Sequence, residues 1–382
     1  MNVVYFQSGG PTAVINSSFY GVIKKYQESK EIDALYYSHF GLNGLIDDDL
    51  EIVDKNKDYS FLTKLPGAFC GTARIKLSET YDNTYKKILN TLNKYHISVV
   101  LVNGGNDSMD TANKLSKYFK DNNINIKVFG IPKTIDNDLN NCFVVPGFIS
   151  AMNVVVNSVI DISYDVKSYK KGRVTIIETM GRDAGWLAAS SCLASDCGEG
   201  PDLIYVSEVP FSIEKFLDDV KKVYEKQNRV LVVLSEMLCD KNGNFVFSSE
   251  KIDRFGHVQL GSISRYLCDI VEDKLKINTR HIELNLLQRC VRSMISPLDV
   301  KIATKCGYIA LNSALNNKDD GCVSIKYEND KFDYYLDSFD NVANLIKQMP
   351  KTYITKDGNN ITKEGKLYFK ILLSNKIDWY VV

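Results

Sequence analysis

The stretch Ile97-Ser98-Val99-Val100-Leu101-Val102-Asn103-Gly104-Gly105-Asn106-Asp107-Ser108-Met109-Asp110 changes character twice. Ile97–Val102 is an apolar, β-branched run interrupted only by Ser98, the kind that suits a strand buried on both faces. Asn103-Gly104-Gly105 then breaks it. Met109, Ala112, Leu115 and Phe119 fall on one helical face, so a helix is predicted to open near Ser108 or Asp110. Strand, glycine turn and helix form part of a βαβ unit and predict an α/β fold with a parallel sheet.

Outward from this stretch the pattern recurs. Val3–Phe6 precedes Gln7-Ser8-Gly9-Gly10, and Ile126–Ile131 precedes Pro132. Arg173–Ile177 precedes Glu178-Thr179-Met180-Gly181, Val230–Leu234 precedes Ser235-Glu236, and Ile282–Leu287 precedes Gln288-Arg289. Ligands of open α/β sheets bind beyond the carboxyl ends of the strands. A site built from several separated strand ends is therefore predicted. After about Asn317 the chain turns more polar, with Lys318-Asp319-Asp320-Gly321 and Asp357-Gly358-Asn359-Asn360. It reads as surface turns and hairpins peripheral to the chemistry, with Tyr334-Tyr335 in a strand.

At 382 residues the chain suggests two or three domains, or one two-lobed unit. Lys+Arg and Asp+Glu both number 47, which argues against a nucleic-acid binder with a whole-domain basic excess. The nine cysteines are odd in number, scattered and without a CxxC, so neither a disulfide framework nor a zinc site is expected. The apolar runs are far shorter than a bilayer requires, and Met1–Gly10 lacks a signal-peptide pattern. No membrane partner and a cytoplasmic location are the expectations. His39, His96 and His281 form no ligand pattern, and no Walker, dinucleotide or metalloprotease motif occurs.

Three segments carry the chemistry. Gly104-Gly105-Asn106-Asp107-Ser108 can cradle a phosphate on backbone amides at a helix start, or be a tight turn. Pro132-Lys133-Thr134-Ile135-Asp136-Asn137-Asp138 sets two carboxylates beside a lysine, which offers a base and a charge partner. Met180-Gly181-Arg182-Asp183-Ala184-Gly185-Trp186 carries an arginine suited to forked phosphate binding.

In this order and spacing the three segments resemble the phosphofructokinase family. Beside them stand Ser8-Gly9-Gly10 with Asn16, Pro146-Gly147-Phe148, the segment Phe255–Gly261 with His257, and Leu287-Gln288-Arg289. The resemblance runs from residue 1 to about 310. It implies two doubly wound parallel-sheet α/β domains with the active site in the cleft between them. Residues 1–146 plus about 292–345 would form the phosphoryl-donor domain, and 147–291 plus about 346–382 the fructose 6-phosphate domain.

The implied reaction is phosphoryl transfer to the C1 hydroxyl of fructose 6-phosphate with Mg2+. Asp136 matches the proton acceptor, and Thr134 and Asp138 flank it. Met180, Gly181, Arg182 and Glu236 match sugar-binding positions, and Arg289 matches an arginine on the 6-phosphate. Arg173 and Arg280 match arginines that reach into a neighbouring subunit's site, so a homodimer or homotetramer is implied. Gly10, Arg74, Gly104, Gly105, Asn106, Asp107, Ser108 and Lys133 match the donor side. Asn106 and Asp138 are the candidate metal ligands.

Asp107 and Lys133 bear on the donor, since ATP-using relatives carry glycine at both places and pyrophosphate-using relatives carry Asp and Lys. A carboxylate at Asp107 would repel an α-phosphate ~4 Å away by about 4 kcal/mol at an effective dielectric of ~20, which is roughly a thousandfold in affinity. Lys133 adds a cation for the small, highly charged pyrophosphate. Pyrophosphate is therefore the expected donor, in a reversible reaction. An ATP-dependent 6-phosphofructokinase is the alternative, and a non-catalytic regulatory subunit a more distant one. The chain departs from the resemblance at Asn106, where many relatives have Asp, and at Leu286, where they carry Tyr or His.

Overall fold

The structure is a computed structural model and describes residues 1–247 and 261–373. The segment Phe255–Gly261, with His257, lies outside the described residues except for Gly261. In chain order the elements are β1 Asn2–Gln7, α1 Ile15–Glu28, β2 Ala34–Ser38, α2 Leu42–Asp47, β3 Leu50–Ile52, α3 Asn83–Lys94, β4 Ile97–Gly104, α4 Asn106–Asp121 and β5 Lys127–Pro132. They continue with α5 Phe148–Lys167, β6 Val174–Thr179, α6 Trp186–Ser190, β7 Leu203–Tyr205, α7 Ile213–Gln227, β8 Val230–Ser235, α8 Ile263–Leu275 and β9 Thr279–Glu283. The last are α9 Pro297–Leu315, β10 Gly321–Glu328, β11 Lys331–Asp337 and α10 Lys363–Ile371. Among the described residues no helix is long and apolar enough to cross a membrane.

The chain divides into two compact units. One holds Met1–Ser150 and Arg289–Lys347, the other Ala151–Gln288 and Gln348–Val382. This division places Arg289 in the first unit.

The first unit carries a seven-stranded sheet in the order β11-β10-β5-β4-β1-β2-β3. Its centre is parallel, as the buried runs require, but β3 and β11 join antiparallel at the two edges. The sheet is thus mixed rather than wholly parallel, because a short turn after β10 and the α2 connection after β2 each return the chain beside itself. The register pairs Gln7 with Asn103 and Gly104 with Pro132. The turns after β1, β4 and β5 therefore emerge at one end of the sheet.

Met109, Ala112, Leu115 and Phe119 are all buried against the sheet, as the helical face predicts. The helix opens at Asn106, not at Ser108 or Asp110, with Gly105 as its N-cap. Ser108 and Met109 both bond back to the Gly105 carbonyl. Ser108 tucks under Gly104 instead of capping, and an added Cβ at Gly104 would lie 2.1 Å from Ser108 Oγ. Only glycine lets strand and helix approach this closely.

The second unit is a four-stranded parallel sheet, β7-β8-β6-β9, with β6 and β8 buried along their whole length. The run Ile282–Leu287 does not continue as a strand. The strand begins earlier, at Thr279, and ends at Glu283. Asn285 adopts the left-handed region at φ 46°, which turns Asn285–Arg289 into a 3-10 turn and leaves Leu286 and Leu287 exposed.

Candidate active site

In the first unit, three cations gather on the turn after β1. Gly9 takes a positive φ of 77°, donates its N–H to Ala73 O at 3.1 Å and accepts from Thr72 Oγ1 at 2.7 Å. These bonds hold the segment carrying Arg74 against the turn. The Lys133 ammonium, buried beyond the end of β5, donates to Gly10 O at 2.5 Å. A Cβ built on Gly10 would stand 2.7 Å from Arg289 Nη1 and 3.6 Å from Arg74 Nη2. One built on Gly9 would stand 3.5 Å from Lys133 Nζ and 3.9 Å from Ser108 Oγ. Gly10, Arg74, Ser108, Lys133 and Arg289 therefore converge on one patch of backbone. Such crowding of like charge is stable only with anions near, and it suits a ligand of high negative charge.

Burial pulls the Lys133 ammonium down to about 8; Asp136 and Asp138 hold it up, and Arg289 and Arg74 push it further down. Both carboxylates thus favour the charged form of the lysine. The loop that carries them is fixed by backbone bonds. Thr134 pairs with Gly147 and donates its N–H to Pro146 O. Thr134 Oγ1 accepts from Asp136 N at 3.0 Å. Asn137 adopts φ 57° and accepts from Val145 N through Oδ1 at 3.0 Å. Asp107 is exposed in the first turn of α4, and Gly104 and Gly105 lie directly before that turn.

Asn106 Nδ2 donates to Leu345 O at 3.1 Å. Its Oδ1 is buried and has no hydrogen-bond partner among the described residues. A buried carbonyl oxygen with nothing to accept from fits a hard cation or its water. No group of three or more His, Cys, Asp or Glu side chains forms a metal cage among the described residues. Mg2+ seldom uses such a cage, since it keeps waters and binds substrate phosphates through one or two protein oxygens. The Asn106 carbonyl thus fits a magnesium–phosphate ion.

In the second unit, Met180, Gly181 and Glu236 meet at the carboxyl end of β6 and β8. Thr179 pairs with Ser235, and Glu236 N donates to Thr179 O at 2.9 Å. Met180 N donates to Gln288 Oε1 at 3.1 Å, and Gly181 takes φ 122°. Arg182 is half-buried on the same turn. Gly185 N donates to both oxygens of Glu208, which also accepts from Met349 N at 3.0 Å. Burial raises the Glu208 carboxyl above its ordinary value.

Arg173 and Arg280 are not brought to this end. Arg173 precedes β6 and stacks on Tyr169, its guanidinium 4.4 Å from the ring centroid. Arg280 is exposed on the neighbouring strand opposite Thr175.

Several supporting residues carried no signal in the sequence. Gln288, Glu208 and Lys347 hold backbone groups of distant segments through their side chains, Gln288 by one bond to Met180 N, Glu208 to the amides of Gly185 and Met349, and Lys347 to the carbonyls of Cys142 and Phe143. The C-terminal part of the first unit, expected to be peripheral, lies directly against Asn106 and Asp138.

The phosphofructokinase family profile matches residues 2–314. A pyrophosphate–fructose 6-phosphate 1-phosphotransferase of Xanthomonas campestris is 34% identical over 98% of this chain and 92% of its own length. An enzyme of the same name from Halomonas elongata is 32% identical over 98% of this chain and 92% of its own. The crystal structure of a pyrophosphate-dependent phosphofructokinase from Nitrosospira multiformis superposes with a TM-score of 0.89 at 30% identity, covering 98% of this chain and 92% of that one.

Proposed function

This chain belongs to the phosphofructokinase family, and from that premise we propose that it transfers a phosphoryl group from pyrophosphate to the C1 hydroxyl of fructose 6-phosphate, giving fructose 1,6-bisphosphate and phosphate. The observation that carries the donor assignment is the Lys133 ammonium, buried and bonded to Gly10 O between Arg74 and Arg289. A compact anion of high charge satisfies that cluster without a nucleoside.

Phosphoryl transfer asks the protein for in-line positioning, charge neutralisation and a base for the attacking hydroxyl. Asp136 accepts the C1 hydroxyl proton. Lys133, Arg74 and the amides of the first turn of α4 take the charge of the pyrophosphate. Arg289, on the same patch as Gly10, binds phosphate, the sugar's 6-phosphate in the family resemblance. Met180, Gly181, Arg182 and Glu236 orient the sugar phosphate, with Thr134 beside the reacting hydroxyl. Asp107, exposed at the helix start, repels the α-phosphate of a nucleotide. Magnesium, when bound, neutralises phosphate oxygens, and Asn106 and Asp138 would hold it. Arg173 and Arg280 complete the site of a second copy in a homo-oligomer, and the enzyme works in the cytoplasm.

Initial rates with fructose 6-phosphate, Mg2+ and either pyrophosphate or ATP test this reading, with fructose 1,6-bisphosphate as the readout. Turnover with pyrophosphate alone, and phosphate-dependent reversal, are expected. Turnover with ATP alone would overturn the role of Asp107 and Lys133. Silence with both from folded protein would make this a non-catalytic subunit.

A further inference from the structure

We propose that Asn344–Lys347 is a strap that sets the donor turn and the catalytic loop against each other, with Asn344, Leu345 and Lys347 as positioning residues. The proposal rests on the reading of Asp136 and Asp138 given above.

Four consecutive residues each hand a polar group to one of the two segments. Asn344 takes φ 59° and donates Nδ2 to Asp110 Oδ1 on α4 at 2.8 Å. The Leu345 carbonyl accepts from Asn106 Nδ2 at 3.1 Å. Ile346 pairs antiparallel with Leu139. Lys347 N donates to Asp138 O at 2.7 Å, and its ammonium to Cys142 O at 2.7 Å and Phe143 O at 3.1 Å. Core packing does not account for the segment, because Leu345 and Ile346 are 42% and 45% exposed. Its backbone and polar groups make the bonds to both segments, while its apolar residues are left exposed.

The strap also accounts for Asn at position 106. An amide has one donor end and one acceptor end. With Nδ2 donated to Leu345 O, the acceptor Oδ1 is the end left buried and open to a cation or its water. An aspartate there would set an acceptor against the Leu345 carbonyl and lose the contact. Asn106 and the strap are thus a matched pair, and the lost charge is exchanged for a fixed orientation.

The test compares Asn106→Asp, Asn344→Ala, Lys347→Met and Lys347→Arg. Magnesium pyrophosphate binding is read by calorimetry, steady-state kinetics supply kcat and KM, and amide exchange is followed at Thr134–Val145. Asn106→Asp is expected to weaken magnesium pyrophosphate about 10- to 100-fold, although it adds a carboxylate, as loss of an orienting partner does. Asn344→Ala and Lys347→Met are expected to lower kcat by up to about a hundredfold, with KM for fructose 6-phosphate within about twofold, and to speed exchange in the loop. Lys347→Arg is expected to recover part of the rate. Tighter magnesium pyrophosphate with Asn106→Asp, or unchanged kcat and exchange in Asn344→Ala, would overturn the strap. If Lys347→Met fails to fold, the two asparagine variants decide. Exchange reads the strap whatever the donor is, so a wild-type enzyme that rejects pyrophosphate would sink the donor reading alone.

Discussion

Lys133 is a cation kept inside the protein against the pull of burial. Its ammonium falls to about 8, below the 10.5 of the unfolded chain. Between those values the unfolded chain binds more protons, so folding stability rises with pH there, and at neutral pH the charged form is under strain. A phosphate dianion would relieve that strain, which is the physical ground for proposing Lys133 as a donor-binding residue. The cation is lost as pH rises through about 8. We expect kcat/KM for pyrophosphate, which reports the free enzyme, to fall about tenfold per pH unit above ~8. Lys133→Arg should move that fall upward, since a guanidinium stays charged. A flat profile between about 7 and 9.5 would remove Lys133 from donor binding. Asp136→Ala should lower kcat by about 10²–10⁴-fold with little change in either KM, as for loss of a general base. Equal loss through KM alone would make Asp136 a binding residue. The turn holding Lys133 and Asp136 stands out in the sequence because a lysine and two carboxylates share seven residues, but alone it reads as readily as a plain turn, and the roles proposed for both residues come from the family resemblance. Gln288 and Glu208 do not stand out, since each is one side chain reaching a backbone amide far away in sequence, and no local pattern records that.

The first turn of α9 shows how one element fixes another. Asp299 is fully buried behind the Ser296 N-cap and accepts from Gly147 N, Ser150 N and Ser150 Oγ. It thereby holds the start of α5 and Gly147, which pairs with Thr134 two residues before Asp136. Asp299→Ala would strand two buried amides at about 1–3 kcal/mol each. We expect a urea midpoint lowered by the equivalent of about 2–6 kcal/mol at unchanged slope. Burial also lifts the Asp299 carboxyl from 3.8 to about 6, so the folded state holds this proton more tightly. Its stabilising share is full below pH about 4 and fades as pH rises to about 6. The variant should lack that slope in stability against pH, and a wild-type slope in the variant would place its origin elsewhere. Element identity was legible from apolar runs wherever both faces of a strand are buried. It failed at Ile282–Leu287, where an apolar stretch ends on an exposed edge strand and a left-handed asparagine turns the chain out. The helix start at Asn106 was misplaced because two good capping residues, Ser108 and Asp110, are employed elsewhere, under Gly104 and on Lys114.

At the scale of the whole molecule, the α/β class follows from alternating runs, whereas the division between units rests on pairings between segments far apart in the chain. The C-terminal hairpin of the first unit illustrates this. Its polarity reads as surface, yet it delivers the strap to the site. Arg173 and Arg280 raise the largest-scale question. Arg173 stands before β6, and Met180 just after it, so the sheet separates them by about 20 Å. Neither arginine can reach the Met180–Arg182 turn of its own subunit, and a role in sugar binding requires a second copy. The consequence is complementation. Arg173→Ala should raise KM for fructose 6-phosphate strongly, and Asp136→Ala should be inactive. In a hybrid of the two, the subunit that keeps Asp136 receives Arg173 from its neighbour and gains one complete site. Co-refolding equal amounts should restore about a quarter of wild-type activity at limiting substrate, because half of randomly paired dimers are hybrids with one good site of two. Activity equal to the mean of the separate variants would mean that each chain completes its own site, and that these arginines serve another purpose.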